Sequence, residues 1–342
     1  MNLQGHLLYI DITQICGIGC AFCMYADKHK SGMNLELSAR AKENLAILIN
    51  SPDVKRISIS GEGEPLNNVK VFHEILGLSN GENAFEFITS GFFPHDKLKA
   101  FYEQTNSLVA AKGDTCNIRL SSDHHHIEKI RNRPHGFSIN YLLSHRPKGL
   151  TFSFRTVDTD RIFTRNYLIN EIGRWGATAS IKSRNTLEDT LLVEGETFSV
   201  DYKILVHPAS YESTEHLDLH SYIQAVEEKI GKRFTLGSLN KSPQVNGMDI
   251  TVKPNGDVFL YGIENEHLGN IHFHPIRWEH LARHVCETPL ARALYTLPFT
   301  DLIHRLSDDP LAQTLIKKVN NPYWLIKEMA SHDGLLDRMI TK

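Results

Sequence analysis

The sequence has no long apolar run and no strong excess of charge of either sign. Its 342 residues are 41% hydrophobic and carry a formal net charge of -3, and no stretch approaches the roughly 18 apolar residues that a membrane helix requires. The first residues lack the basic start and the apolar core of a secretory signal. A nearly neutral chain also creates no field that would attract nucleic acid or anionic lipid. We therefore expect a cytoplasmic protein with small-molecule or peptide partners, and neither nucleic acid nor membrane.

Cysteine is scarce and unevenly placed. Three of the five cysteines, Cys16, Cys20 and Cys23, fall within eight positions, which suits a metal site better than a disulfide framework. Structural zinc generally needs four closely spaced ligands, and His29 is the only further candidate nearby. An iron-sulfur cube usually has four thiolates, so three leave one iron without a local protein ligand. Cys116 is predicted to lie at the start of its strand, away from this loop.

Strand-like and helix-like segments alternate along the first half of the chain. The predicted strands are residues 7–13, 54–60, 85–90, 116–123, 150–157 and 177–183, with amphipathic helical segments between them. Such alternation predicts parallel βαβ units with chemistry at the carboxyl ends of the strands. We expect an α/β fold, a partial (β/α)6 TIM-like barrel over residues 1–185, or else an open doubly wound sheet. Residues 186–342 would form a smaller α+β region.

The pattern Cys16-x3-Cys20-x2-Cys23, with Phe22 before the last cysteine, closely resembles the signature of the radical S-adenosylmethionine (AdoMet) superfamily. The resemblance implies one [4Fe-4S] cluster whose fourth iron is chelated by the amino and carboxylate groups of AdoMet. It also implies reductive cleavage of AdoMet to methionine and a 5'-deoxyadenosyl radical, which abstracts hydrogen from a substrate. An electron donor such as flavodoxin or ferredoxin would reduce the cluster.

Residues after the second predicted strand resemble a second element of that family. Glu62-Gly63-Glu64-Pro65 is similar to its Gly-Gly-Glu-Pro motif, whose backbone and acidic side chain receive the methionine amino group. The sequence departs from the motif at Glu62. Taken alone, the segment is equally compatible with an ordinary turn.

Later strand ends also resemble cofactor-binding segments of the family. Thr89-Ser90-Gly91 is similar to its Thr-Asn-Gly, and Ser121-Ser122-Asp123 to its Ser-x-Asp. The resemblance places Ser90, Ser121 and Asp123 near AdoMet, although such residues are also common helix caps. Arg155, on the fifth predicted strand, is a candidate for the AdoMet carboxylate because its guanidinium suits that geometry.

Three adjacent histidines, His124 to His126, follow this segment. Adjacent side chains point in different directions, so we interpret the triplet as a solvated or substrate-facing loop rather than a metal site. One of the three could act as an acid or base, because histidine titrates near neutral pH.

Residues 248–262 predict a β-hairpin around the turn Pro254-Asn255-Gly256-Asp257. Together with Leu268-Gly269-Asn270, this hairpin resembles the start of the SPASM or twitch region of the superfamily. The family places a cluster cysteine near Leu260 and Tyr261, and none is present there. We therefore expect no auxiliary cluster, and a region that covers the substrate. Cys286 is a candidate hydrogen donor, although a free cysteine is more often a small buried hydrophobe.

We therefore predict an enzyme, a radical AdoMet oxidoreductase in the broad sense, that acts on a small metabolite in biosynthesis. The lack of an auxiliary electron acceptor favours a redox-neutral change such as epimerisation or rearrangement. Three alternatives stay open: modification of a peptide, a non-catalytic iron-sulfur regulatory protein, and a zinc-bound interaction module.

Overall fold

A computed structural model describes residues 6–20, 23, 25, 32–204, 216–237 and 247–341. Its strands are β1 (His6–Asp11), β2 (Val54–Ser60), β3 (Ala84–Thr89), β4 (Thr115–Ser121), β5 (Leu150–Val157), β6 (Ala179–Asn185), β7 (Glu188–Val193), β8 (Glu196–Lys203), β9 (Ile250–Val252), β10 (Asp257–Leu260) and β11 (Ile263–Asn270). Its helices are α1 (Ala39–Ile49), α2 (Val69–Gly77), α3 (His95–Ala110), α4 (His124–Ile127), α5 (Pro134–His145), α6 (Arg161–Gly173), α7 (Leu219–Ile230), α8 (Trp278–Glu287), α9 (Pro289–Thr296), α10 (Phe299–His304), α11 (Pro310–Lys318), α12 (Pro322–Ala330) and α13 (Leu335–Thr341). Short 3-10 helices cover Pro65–Asn68 and Asp158–Asp160.

The chain divides into two compact units. The barrel unit comprises Ile10–Leu37 and Ile57–Lys203, and the C-terminal unit comprises Met1–Tyr9, Ser38–Arg56 and Ile204–Lys342. The predicted division at residue 185 differs from this one. The difference arises because β7 and β8 pair into the sheet of the barrel unit.

A largely parallel sheet forms the barrel unit. Its strand order is β1-β2-β3-β4-β5-β8-β7-β6, and the pairs β2/β3, β3/β4, β4/β5 and β5/β8 are parallel. The predicted α/β class with parallel strands is confirmed. The sheet does not close, since β6 ends the order of the described strands.

The sixth parallel position differs from the predicted one. Residues 177–183 were expected to fill it, but β6 is the outer strand of an antiparallel meander, and β8 lies against β5. The two-residue connection between β7 and β8, Glu194-Gly195, has positive φ angles of 47° and 87°. This is the turn geometry that two-residue antiparallel hairpins favour. A tight turn thus returns the chain antiparallel and places β8 where a helix-linked strand was expected.

The two faces of this sheet differ in polarity because side chains alternate along a strand. Apolar side chains pack against the helices: Phe72 of α2 lies 4.3 Å from Phe87 of β3, and Tyr102 of α3 lies 5.0 Å from Phe152 of β5, between ring centroids. The opposite face carries polar and charged groups. It includes Glu86 of β3, whose carboxylate is 2.9 Å from the Arg119 guanidinium of β4.

The C-terminal unit contains the strands β11, β10 and β9, which are neighbours in that order, and the helices from α7 onward. The predicted hairpin is confirmed: β9 and β10 are antiparallel, and Val258 pairs with Val252. Gly256 in the connecting turn has a φ of 86°, which a residue with a side chain rarely adopts. Among the described residues, none of the helices combines the length and apolar character that crossing a membrane demands.

Candidate active site at the strand ends

The three clustered cysteines follow β1 and are partly buried. Burial raises the pKa of Cys16, and the negative charges of Glu64, Cys20 and Cys23 raise it further. Burial also raises the pKa of Cys23, with Cys20 adding to the effect and Lys203 opposing it. The three thiols are therefore close enough to influence one another electrostatically, and a bound cation would favour their thiolate forms.

The described residues do not gather three His, Cys, Asp or Glu side chains into a ready metal-binding group. Binding of a metal group and completion of its site are commonly coupled. The donor set itself fits an iron-sulfur cluster, because thiolates are the usual protein ligands of such clusters, and three of them would leave one iron open. Phe22 and His29 lie outside the described residues.

The Gly-Glu-Pro turn is fixed against the cysteine loop. The backbone N–H of Gly63 donates to the Thr13 carbonyl at 3.0 Å, and that of Glu64 donates to the Ile15 carbonyl at 2.9 Å. A Cβ atom at Gly63 would lie 2.3 Å from the Ile15 carbonyl oxygen, so no side chain fits there. The turn and the loop that carries Cys16 are therefore fixed relative to each other.

Glu64 acts as a brace between strand ends. Its Oε1 accepts hydrogen bonds from the Thr89 hydroxyl at 2.5 Å and from the Leu66 N–H at 3.1 Å. Its Oε2 accepts from the Ser90 N–H at 2.9 Å and from the Ser90 hydroxyl at 2.5 Å. The carboxylate is buried and joins the end of β3 to the 3-10 helix that Pro65 begins. Four donors thus occupy the side chain that the resemblance assigned to the methionine amino group.

Glu62, the departure from the family motif, also supports the cysteine loop. It is buried, and its Oε2 accepts a hydrogen bond from Gln14 Nε2 at 2.8 Å. Gln14 Oε1 in turn accepts from the Met33 N–H at 3.2 Å. The residue that replaces glycine therefore holds two segments of the loop together.

The ends of β4 and β5 bring two predicted cofactor residues side by side. Ser121 and Arg155 are register partners in this parallel pair. The Nε of Arg155 is buried and has no hydrogen-bond partner among the described residues, which leaves a donor for a ligand. The Ser121 carbonyl accepts from His135 Nε2 at 2.9 Å, so the strand end is itself fixed.

Asp123 has a partner that the sequence did not predict. It caps α4, and both of its carboxylate oxygens lie 2.8 Å from His126 Nδ1. Burial would raise the pKa of Asp123, but His126 and Lys203 lower it to about 2. The His126 ring is also hydrogen-bonded to Cys20; burial would lower its pKa, but Asp123 and Cys20 raise it to about 9. Asp123 thus orients a histidine toward the cysteine loop.

The histidine triplet is therefore not a uniformly solvated loop. His126 is largely buried against Asp123, and His124 Nδ1 lies 2.7 Å from the Asp160 carboxylate. The rings of His124 and His125 lie 3.7 Å apart between centroids. The solvated alternative was wrong for His126, because the Asp123 carboxylate, the N-cap three residues earlier, binds its ring; the substrate-facing alternative stays a prediction.

Lys203 is the functional candidate that sequence reasoning missed. It is the last residue of β8, and its pKa is lowered by burial and by the charges of Arg155 and Arg119, with Asp123 and Cys23 opposing. Its position depends on β8 entering the parallel sheet. In the sequence, Lys203 is visible only as the lysine at the end of a segment with alternating apolar residues. That pattern predicts a strand but does not indicate that the strand lies beside β5.

The two remaining cysteines have environments different from that of the cysteine loop. Cys116 is fully buried on β4, and burial raises its pKa. Cys286 is partly exposed on α8 of the C-terminal unit.

Near the position where the family places a cluster cysteine, the C-terminal unit has an aromatic cluster. The Tyr261 ring lies 5.2 Å from Tyr9 and 5.3 Å from Tyr323, between centroids. Gly262 permits this packing, because a Cβ there would lie 2.2 Å from the Tyr323 ring.

Comparison with solved structures identifies the fold. The chain matches native anSMEcpe with bound AdoMet and a Cp18Cys peptide at a TM-score of 0.52 and 14% identity, covering 86% of this chain and 83% of that one. It matches His6-tagged anSMEcpe with bound AdoMet at a TM-score of 0.51, with the same identity and coverage. The chain therefore shares its fold with these AdoMet-bound proteins. No protein-family model and no curated relative matches the sequence.

Proposed function

We propose that this protein is a radical AdoMet enzyme, with one [4Fe-4S] cluster held by Cys16, Cys20 and Cys23. The observation that carries the proposal is the fixed contact between the cysteine loop and the Gly63-Glu64 turn. This contact occurs at the strand ends of a fold shared with anSMEcpe, which was solved with bound AdoMet. When bound, the cluster would supply the electron that cleaves AdoMet to methionine and a 5'-deoxyadenosyl radical.

The chain's own residues have distinct tasks in this proposal. Glu64, with its donors Thr89 and Ser90, holds the turn in place so that backbone groups near Gly63 can receive the methionine amino group. Arg155 and Ser121, adjacent on β5 and β4, would bind the AdoMet carboxylate, since Arg155 Nε has no hydrogen-bond partner in the part of the chain that the structure describes. Pre-positioned groups of this kind bind and orient a cofactor at little further cost in ordering.

The substrate is proposed to be a small metabolite that undergoes a redox-neutral change, with Cys286 as a candidate hydrogen donor. The tyrosines around Tyr261 support this choice, because an aromatic cluster there cannot ligate a second iron centre as cysteine would. A peptide is the second candidate, because anSMEcpe has been solved with a bound peptide. A cytosolic location and a flavodoxin or ferredoxin as reductant complete the proposal.

Anaerobic reconstitution tests the proposal directly. We expect about four iron atoms per chain, loss of iron on combined replacement of Cys16, Cys20 and Cys23 by alanine, and retention of iron in the Cys286→Ala control. Dithionite and AdoMet should then give 5'-deoxyadenosine, detected by mass spectrometry. Iron without this product would indicate a non-catalytic iron-sulfur protein. Zinc in place of iron would indicate an interaction module.

A further inference from the structure

A cleft of about 180 Å³ in the C-terminal unit is lined by residues of α7, α10 and α11. One wall is a single face of α10 and of the turn that follows it. This face carries, at spacings of three and four residues, Thr300, Ile303, His304 and Ser307. Side chains at such spacings lie together on a helix surface. The α10 segment therefore presents two hydroxyls and an imidazole to the cleft.

Two other helices complete the lining. The first turn of α7 contributes His220, and α11 contributes Gln313 and Ile316. Gln313 is held in place because its Nε2 donates to the Leu306 carbonyl at 3.2 Å. Ile303 and Ile316 are only 2% and 8% exposed, so they provide buried apolar surface beside the polar groups.

The polar groups of the cleft have unused hydrogen-bond donors. Each imidazole presents at least one N–H whichever tautomer it adopts, and each hydroxyl can donate once. The Thr300 hydroxyl accepts from Arg233 Nη2 at 2.5 Å, which leaves its own hydrogen for another acceptor. Within the described part of the chain, the side chains of His220, His304 and Ser307 have no hydrogen-bond partner. Four donors are therefore available to a ligand.

Electrostatics favour a negatively charged occupant. None of the described residues that line the cleft is acidic, so a cationic ligand would find no carboxylate to pair with. The Arg233 guanidinium that donates to Thr300 polarises this hydroxyl and makes it a stronger donor. Zinc sites use three or four protein ligands, and only His220 and His304 of the lining residues are usual zinc ligands. The donor set thus suits an oxyanion better than a metal ion.

We propose that this cleft binds a small organic oxyanion, a carboxylate or a phosphate that carries a short hydrocarbon group. Its oxygens accept from the two imidazoles and the two hydroxyls, and its hydrocarbon group packs against Ile303 and Ile316. The cleft is smaller than the roughly 300 Å³ at which drug-sized sites begin, which limits the hydrocarbon group to a few carbons. This site goes beyond the proposed function, because it depends on neither AdoMet nor iron.

Two anions with the same hydrocarbon chain test the proposal. Valerate and n-butyl phosphate would be titrated into holoprotein labelled with carbon-13 in its histidine rings. We expect saturable shifts of the His220 and His304 resonances and no shift of His280, which is exposed on α8. The anion that binds more tightly identifies the oxyanion class. Valeramide, the uncharged analogue of valerate, should bind about tenfold more weakly or less, and equal binding of the two would overturn the proposal.

Ring-conserving variants test the histidines themselves. His304→Phe keeps a planar ring but removes the N–H, so the affinity read from the His220 resonance should fall about fivefold or more. His220→Phe, read from His304, should have the same effect, and His280→Phe is the matched control that should have none. All three histidines are exposed, and circular dichroism would confirm that each variant keeps its fold.

The contrary outcomes are equally definite. The absence of a saturable shift with either anion, or an unchanged affinity in both cleft variants, would refute the oxyanion site. Tight binding of zinc without binding of either anion would assign the two histidines to a metal ion instead. Because none of these measurements requires turnover, a failure to form 5'-deoxyadenosine would refute the proposed function and leave this proposal standing.

Discussion

Replacing Glu64 with glutamine changes one atom in a carboxylate that accepts four hydrogen bonds. Two of its donors, the Leu66 and Ser90 N–H groups, belong to the backbone and cannot turn away. They bond to different oxygens, so either orientation of the amide places its NH2 group against one of them. The two hydroxyl donors, on Thr89 and Ser90, can rotate and accept instead.

The expected cost follows from this geometry. One buried backbone donor is left unsatisfied, which costs about 1–3 kcal/mol, and the other donors lose part of the benefit of bonding to a charged acceptor. We expect Glu64→Gln to lower the free energy of unfolding by about 2–4 kcal/mol. Denaturant unfolding of the reduced apoprotein, followed by circular dichroism, would measure the loss.

A matched variant distinguishes the loss of the Glu64 hydrogen bonds from the general effect of removing a buried negative charge. Glu62 is also buried, but Gln14 Nε2 is a flexible side-chain donor that can follow the remaining oxygen of an amide. We expect Glu62→Gln to cost about 1 kcal/mol or less. If Glu64→Gln were as stable as the wild type, or no worse than Glu62→Gln, the brace would not hold the strand ends together.

Three further predictions concern the cysteine loop, its histidine and a buried carboxyl group. Gly63→Ala should destabilise the apoprotein by about 2–4 kcal/mol, because the new Cβ overlaps backbone atoms, and it should reduce iron incorporation. Gly17→Ala is the control: a Cβ at Gly17 has no neighbour within 4 Å, so neither the stability nor the iron content should change much. His126→Phe should make the cluster midpoint potential more negative, because hydrogen bonds to cluster sulfurs help set that potential; an unchanged midpoint in a redox titration followed by electron paramagnetic resonance, with His125→Phe as control, would contradict this role. Burial raises the pKa of Asp249 to about 7, so its stabilising contribution is complete below about pH 4 and is lost as the pH rises through 7. The unfolding free energy of the wild type relative to Asp249→Asn should therefore fall by roughly 4 kcal/mol over that range. If denaturation curves gave the same free-energy difference between the two proteins at every pH, the raised pKa would be refuted.

Several features could be predicted from the sequence because they are local. The spacing of Cys16, Cys20 and Cys23 limits the kinds of metal group they can hold, whatever the rest of the chain does. Alternating periodicity predicted the parallel strands and their connecting helices, and the turn around Gly256 predicted its hairpin. Each of these patterns spans fewer than about twenty residues, so neighbours along the chain specify it.

Only the tertiary structure could show how the strand ends complete the site. The pairing of β8 with β5, which brings Lys203 opposite Val157 at the end of the parallel pair, depends on strand order, and strand order is set by contacts between residues distant in sequence. The brace made by Glu64 and the orientation of His126 by Asp123 likewise depend on side-chain directions after folding. The sequence by itself determined which chemical groups are present and which elements carry them. Long-range packing decided which of those groups face one another, because hydrophobic periodicity specifies a strand's faces but not its neighbours.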